Sequence, residues 1–595
     1  MNWILAFWIS LGILVLSCTA AGIMSHKKYR LGGTVSPFYV VFAGMFLAVA
    51  ILQLPEAQEA FAGDVLPNVK AFLISIQAAI GVFVVDADYF AVADAVPETE
   101  PLFRQMYRLY LAVMHLAGPI LTFGFVLSFF KNVSAFLRLL KKYKRNVYVF
   151  SELNARSLTL AEDILRKDNG RCVVFTDVYE SNEEQTSEMT EKAQELGAIL
   201  FKKDILAVNF GLHSHKKDLY FFVMGTDETE NLEQAVGLVE KYSAIDNTHL
   251  YVFSTSVESE MMLTQVNKNK MKVRRVNVVR SLVYRNLYER GCELFGNVDD
   301  GKREKVIHAV VVGMGRYGRE TIKALCWYCQ MDGYRVRIDA FDKDPLAEEK
   351  FTALCPELMH SHYNGVLVEG EAQYTIKIHS GVDATTHAFV QTLKTLPDVT
   401  CAFVSLGDDS RNIETAIHLR TEFERMQIHP VIQAVVLSSS KKQVLENAMN
   451  FKGQAYDIRY VGDQKQFYSE EVILDSDLEA DALRHHLNWG KEEDFWNFEY
   501  NYRSSMATAI HYYARIHCKI PGAGMPDSEL AKEENRAIRD HLEALEHRRW
   551  NAYMRAEGYV YGAKRNDLAK VHHNLVTYDA LPEEIKRLDS LIASK

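Results

Sequence analysis

Residues 306–326 read VIHAVVVGMGRYGRETIKALC, and they decide the fold of the region around them. A valine-rich run passes directly into Gly313-x-Gly315-x-x-Gly318 and then into an amphipathic stretch, the order strand, glycine turn, helix. Glycines at this spacing permit a tight turn, close approach of a phosphate to the main chain, and close packing of helix on strand. The free N–H groups and dipole at the start of the helix favour an anion. A second run, Arg335 to Phe341, ends in Asp342, with Asp344 two residues on. That is about the distance at which an acid bonds ribose hydroxyls in a dinucleotide-binding unit. Strands are also predicted at 400–405, 431–437 and 457–461. Residues 301–468 are therefore expected to form an α/β unit in which Gly313, Gly315, Gly318, Asp342 and Asp344 hold NAD or another adenine nucleotide. A glycine turn kept only for packing remains the alternative.

Upstream, residues 146–300 carry the same alternation of short apolar runs and amphipathic stretches, with strands predicted at 147–151, 172–176, 198–202, 219–224, 249–254 and 276–279. This second Rossmann-type unit lacks the glycines. Its first turn is Ser151-Glu152-Leu153-Asn154-Ala155-Arg156-Ser157, whose side chains obstruct a pyrophosphate. Asp177 follows its second strand, but the unit is expected to be structural or to bind something other than a dinucleotide.

Further upstream the text becomes apolar. Residues 3–24 are long enough to cross a ~30 Å hydrocarbon core, and apolar runs follow at 35–54, 69–85 and 107–130. A cleaved signal peptide is disfavoured because the positive charges (Lys27, Lys28, Arg30) follow the run rather than precede it. That cluster and the basic tail 131–145 read as cytoplasmic, whereas the loops 55–68 and 86–104 are acidic and read as external. With both of its flanks external, segment 69–85 must enter the membrane and return. The expectation for 1–145 is three spans plus a re-entrant pore helix, with four plain spans as the alternative. The stretch after that helix, Gly81-Val82-Phe83-Val84-Val85-Asp86-Ala87-Asp88, carries no Thr-Val-Gly-Tyr-Gly ladder, so potassium selectivity is not supported. Gly81, Asp86 and Asp88 are pore candidates, the two carboxylates forming an acidic ring at an outer mouth or being solvated loop residues.

The 595-residue length requires several domains. A net charge of −10 argues against nucleic acid as a partner, and eight scattered cysteines fit a reducing compartment. Cys326-Trp327-Tyr328-Cys329 lacks the second pair that a zinc site needs. Residues 469–595 are expected to be mainly helical.

Two tandem Rossmann-type units below a membrane block with a basic linker resemble the TrkA-N/RCK (regulator of potassium conductance) modules, on Gly313, Gly315, Gly318 and Asp342; the first unit departs at Ser151, Asn154 and Ser157. From residue 542, LEALEHRRWNAYMRAEGYVYGAKRNDLAKVHHNLVTYDALPEEIKRLD resembles the RyR domain, the repeat named in ryanodine receptors and found in bacterial proteins. The matching positions include Glu546, His547, Trp550, Gly558, Tyr561, Gly562, Tyr578 and Pro582, while Tyr559 stands where the family usually has Trp. The resemblance implies a nucleotide-derived ligand, with Trp550, Tyr559 and Tyr561 for base stacking and Arg549 or Arg565 for phosphate. The alternative is that these aromatics are core.

Together these readings predict a multi-pass protein of a bacterial inner membrane with cytoplasmic C-terminal domains, acting as a homotetramer or homodimer. Its expected function is a nucleotide-gated ion channel or channel-like effector, in potassium transport or anti-phage signalling. No acid–base pair accompanies the glycine turn, so catalysis is not expected. A membrane-anchored NAD(P)-dependent oxidoreductase and a non-conducting nucleotide-sensing scaffold are the rivals.

Overall fold

The computed structural model describes residues 2–26, 37–142, 144–168, 170–178, 184–211, 217–296, 298, 305–359, 362–363, 366–367, 374–396, 398–447, 456–474 and 477–586. The basic cluster Lys27, Lys28 and Arg30 lies outside the described residues. The chain forms two compact units, one of residues 1–143 with 199–212, the other of 144–198 with 213–595.

The first unit is helical: α1 (Trp3–His26), α2 (Pro37–Ala60), α3 (Pro67–Val84), α4 (Tyr89–Ala95) and α5 (Pro101–Lys141). Among the described residues, three stretches, Trp3–Gly22, Tyr39–Ala60 and Pro67–Val84, are long and apolar enough to cross a membrane. The span expected at 107–130 falls within α5, whose side chains at 124–134 lie outside the described residues. At 41 residues, α5 is about 60 Å long.

Side-chain contacts give the relative levels of these helices. The Trp3 indole donates to Glu59 (2.9 Å), Ser10 to the Ala48 carbonyl (2.8 Å), and Gly44 abuts Ser17, so α1 and α2 are antiparallel. The start of α5 lies level with the start of α1, because Tyr107 packs on Trp3 and donates to the Leu52 carbonyl. Helix α3 begins beside the end of α2, where Gln58 donates to Asn68 (3.2 Å). It ends beside the start of α2, with Phe83 on Phe42 and Phe46 and Val82 against Gly118. That is level with Ser17, about two helical turns short of the end of α1.

By length and composition α3 is a candidate crossing helix, and the chain reverses sharply after it. Val85 takes a left-handed φ of 64°, the Asp86 N–H bonds back to the Gly81 carbonyl (2.8 Å), and the chain returns. Tyr89 donates to the Arg108 carbonyl (3.1 Å), and Arg108 holds the Ala93 carbonyl and Asp94 (both 2.7 Å). Arg104 then pairs with Glu98. Residues 85–100 thus climb beside the first turns of α5 to the level at which α3 began.

The chain forms two six-stranded parallel sheets. Strands β1 (Val147–Phe150), β2 (Cys172–Phe175), β3 (Ile199–Leu200), β4 (Leu219–Val223), β5 (Thr248–Phe253) and β6 (Lys272–Val276) lie in the order β3-β2-β1-β4-β5-β6. Strands β1 and β2 are continuous buried apolar runs, as a sheet covered on both faces requires. The helix after β1 is α6 (Ala155–Lys167). The last strand falls four residues before its expected place at 276–279, because Asn277 caps α7 (Val278–Arg290). The strand reads Lys-Val-Arg-Arg-Val, and its Arg274 and Arg275 pair with Glu479 and Glu499 from the C-terminal region.

Strands β7 (Lys305–Val312), β8 (Tyr334–Asp342), β9 (Tyr374–Ser380), β10 (Cys401–Val404), β11 (Val431–Val435) and β12 (Ile458–Val461) lie in the order β9-β8-β7-β10-β11-β12. The sequence reading missed β9, which pairs with β8 at the sheet edge from Tyr374↔Val336 to Ser380↔Asp342. The order reverses between β7 and β10, and ligands of such sheets bind at the strand ends beside that switch. Helix α8 (Arg316–Tyr328) follows β7.

The remainder is mainly helical, with α9 (Asp477–His486), α10 (Glu499–His517) and α11 (Arg536–Ala556), plus a small parallel pair, β13 (Val560–Tyr561) and β14 (Val571–His572). One core joins these helices to α7 and α8, with Trp327 edge-on to both Tyr284 and Tyr553. Buried ion pairs reinforce the junction: Arg280 of α7 holds Glu320 of α8 and Glu557 (3.1 Å each), and Arg503 of α10 holds Glu557 (3.3 Å).

Candidate functional site

The turn after β7 is open to an anion. Gly313 sits at φ +92°, and a Cβ there would lie 2.5 Å from the Ser405 carbonyl oxygen. A Cβ on Gly318 would lie 1.9 Å from the Gly313 oxygen, so this residue sets the distance between strand and helix. Gly315 caps α8 with no side-chain hydrogen bond, and a Cβ there would meet nothing within 4 Å. The first-turn N–H groups therefore face open space rather than a capping side chain.

Asp342 grips this turn, accepting the Met314 N–H (2.6 Å) on one oxygen and the Asp344 N–H (2.8 Å) on the other. Each oxygen keeps a lone pair with which a ribose hydroxyl can bond. Asp344 instead accepts the Leu346 N–H (3.0 Å) and pairs with Lys350, which hold its carboxyl below the usual range. Arg316, on the first turn of α8, donates to Thr255 of the first sheet's loop (2.8 Å), bringing that loop to the edge of the turn. The residues present thus fit a pyrophosphate at Gly315 and a ribose at Asp342.

The turn after β1 is closed. Asn154 accepts the Arg156 and Ser157 N–H groups (3.1 and 3.0 Å), and Ser157 accepts the Asn154 N–H (2.9 Å), a reciprocal capping box. Glu152 accepts the Thr226 N–H (3.0 Å) from the end of β4. Side chains have taken the donors that a phosphate would need.

A third feature is a cavity of about 280 Å³ between α9, α10, α11 and the segment around β14. Of the residues singled out in the sequence, Trp550, Arg549 and Arg565 line it. The Trp550 ring is flanked by His547 (5.5 Å, 22° between planes) and His572 (5.0 Å, edge-on). Tyr559 is almost fully buried and reaches the cavity only through its neighbours Tyr500 and His572. Tyr561 is not among the lining residues; its N–H donates to buried Glu357 (3.0 Å).

The cavity adds Tyr500, Thr508, Glu546 and His572, which sequence reasoning did not place in a site. A signal existed on α10, where Tyr500, Ser504 and Thr508 recur every four residues and so share one face. His485 and His572 are both pushed down to about 4, chiefly by burial and then by Arg515 and Arg565 respectively, so both rings are neutral near pH 7.

At the turn after α3, a Cβ on Gly81 would lie 2.9 Å from the Asp86 carbonyl oxygen; glycine lets the returning chain pack against the helix. Asp86 is exposed, and Asp88 caps α4 through the Phe90 N–H (2.9 Å). Both lie at the turn that follows α3.

The chain matches no protein-family model, and no curated protein matches its sequence.

Proposed function

We propose that this protein is a ligand-gated ion channel or channel-like effector of a bacterial inner membrane, with its two α/β units and C-terminal helices on the cytoplasmic side sensing a nucleotide-derived ligand. The observation that carries this reading is the reversal after α3. A chain that turns back at Val85–Asp88, two turns short of the end of α1, would leave peptide groups and the Asp86 carboxylate at membrane depth. Such groups are tolerated only where they line water or are buried in protein. A pore formed by several copies supplies the water, and Asp86 with Asp88 would favour cations in it.

On the sensing side, the open α8 N-terminus supports an adenine nucleotide such as NAD, with Gly313, Gly315 and Gly318 admitting the pyrophosphate and Asp342 accepting from a ribose. When bound, the nucleotide supplies charge and shape rather than a reaction; the turn presents no His or Cys as an acid–base partner. Ligand binding gates the pore only by favouring one arrangement of the α/β units over another, transmitted through the basic segment 131–145. The resemblance to RCK and RyR domains supports the same division of labour, with the C-terminal cavity as a second sensor.

The test is single-channel recording from purified full-length protein in planar bilayers, with NAD, ADP-ribose, ATP and cyclic nucleotides added in turn to one side. Unitary currents that require one of these ligands and vanish in Gly315→Asp are expected. Silent bilayers with NAD binding intact would overturn the channel reading in favour of a membrane-bound oxidoreductase or a non-conducting scaffold.

A further inference from the structure

We propose that the C-terminal cavity is an anion site read by Arg549 with Arg515 behind it, and that its ligand is a small molecule joining a flat ring to an oxyanion. The proposal deepens the second-sensor reading above and rests on it only for the expectation that the ring is a nucleobase.

The argument begins with charge. Arg515 of α10 and Arg549 of α11 are each 1% exposed. Among the described residues the only carboxylate within ion-pair distance of either is Glu546, at 2.8 Å from Arg549 and 3.6 Å from Arg515. Two buried guanidiniums therefore share one carboxylate. Glu546, which also accepts from Thr508 (3.1 Å), faces both of them: burial opposes its charge, yet Arg549 and then Arg515 hold it well below the usual carboxylate range. Arg549 Nη1 and both terminal nitrogens of Arg515 donate to no protein acceptor. The other Arg549 nitrogens are placed by Glu546 (Nε, 3.0 Å) and Thr508 (Nη2, 3.2 Å), and its guanidinium lies over the Tyr553 ring.

Three of the surrounding histidines leave this balance unchanged. His485, His511 and His572 are held neutral by burial and then by the neighbouring arginines, so they add no positive charge near pH 7 and supply no negative one. A buried charge without a partner is strongly unfavourable. An interior that keeps one beside a cavity is arranged for a ligand of opposite sign.

The geometry also distinguishes the two arginines of the sequence reading. Arg565 is engaged by both oxygens of Asp567 (2.9 and 3.0 Å), which neutralise it at the rim. Of these two arginines, Arg549 is the one that combines a place on the cavity wall with an unpartnered nitrogen, and His485 adds an unpartnered Nε2 on the same wall. For the ring, Trp550 offers a face already backed by His547, with Tyr500 on the same wall.

The test uses full-length protein in detergent carrying Gly315→Asp, so that the turn after β7 does not contribute. Inorganic phosphate, adenosine and AMP are titrated by calorimetry at matched ionic strength, and melting curves are recorded in parallel. AMP should bind at least tenfold more tightly than adenosine or phosphate. Arg549→Met should remove that advantage while leaving adenosine binding and the ligand-free Tm near their starting values, because Glu546 retains Arg515. Arg565→Gln should cost at least three times less AMP affinity than Arg549→Met. If Arg549→Met fails to fold, Arg515→Met provides the check: it removes the positive excess while Glu546 keeps Arg549, and it should weaken AMP binding, whereas unchanged AMP affinity would overturn the proposal. Equal affinity for AMP and adenosine, no binding of either, or retention of the AMP advantage in Arg549→Met would overturn the proposal. Because binding is read without current, silent bilayers leave it standing, and ligand-dependent currents do not rescue it.

Discussion

The two turns at the first strand ends of the two sheets are the same place in the same topology, and they have been completed in opposite ways. After β7, three glycines bring main chain against main chain and leave the α8 N-terminus uncapped. After β1, Asn154, Ser157 and Glu152 satisfy the α6 N-terminus and the adjoining β4 loop internally. One turn leaves its donors without a side-chain cap, and the other uses them for stability. A helix start thus has a fixed number of N–H groups to offer, and a side chain that caps them is a ligand excluded.

The comparison is most severely tested at Gly318. Its Cβ would fall 1.9 Å from the Gly313 oxygen, a main-chain atom that cannot swing aside. Gly318→Val should destabilise the second sheet by about 3 kcal/mol or more, seen as early cleavage of 301–468 in limited proteolysis. The corresponding Ser157→Val in the first unit removes a hydrogen-bonded cap and should cost about 1 kcal/mol. Equal costs would mean that the glycine spacing is not what sets the helix on the strand.

Gly315→Asp sharpens the functional side. The position is open, so the fold should be unaffected, while a carboxylate at the helix start repels a phosphate; NAD affinity should fall about 100-fold by calorimetry with an unchanged Tm. Unchanged affinity would assign the nucleotide elsewhere.

The second sheet also holds a buried cluster in which Asp339 accepts from His308 and His379 (2.8 Å each) and from Arg337 (3.1 Å). Burial works against the Asp339 charge, but these donors hold its carboxyl far below the usual range. The stability it contributes is present above the unfolded value near 4 and is lost as pH falls toward the folded one. The second sheet should therefore lose protection faster than the first below about pH 4 in hydrogen exchange, and Asp339→Asn should flatten that limb. Parallel acid limbs for the two sheets would remove the cluster from the account.

Much of this was legible before the structure. The glycine turn, both sheets and the apolar helices follow from local patterns, because strand, turn and helix signals are short-range. Strand β6 was misplaced because its arginines look exposed until Glu479 and Glu499, more than two hundred residues away, are brought against them. In the C-terminal cavity, Trp550, Arg549 and Arg565 were found from the resemblance. The sharing of Glu546 between Arg549 and Arg515 was not, because charge balance in a core depends on tertiary neighbours.

The smallest expected effect separates the two turns most cleanly. Asn154→Gly removes the side chain that accepts the Arg156 and Ser157 N–H groups and reopens the α6 N-terminus. Glycine is itself a tolerable cap, so the loss should be only a few tenths of a kcal/mol, measured as a small fall in Tm. If exposed N–H groups were sufficient for nucleotide binding, this variant would gain a second NAD site. It should gain none, because Glu152 still holds the Thr226 N–H and places a carboxylate beside the reopened helix start. A second binding event in calorimetry would show instead that Asn154 alone had kept the first turn closed.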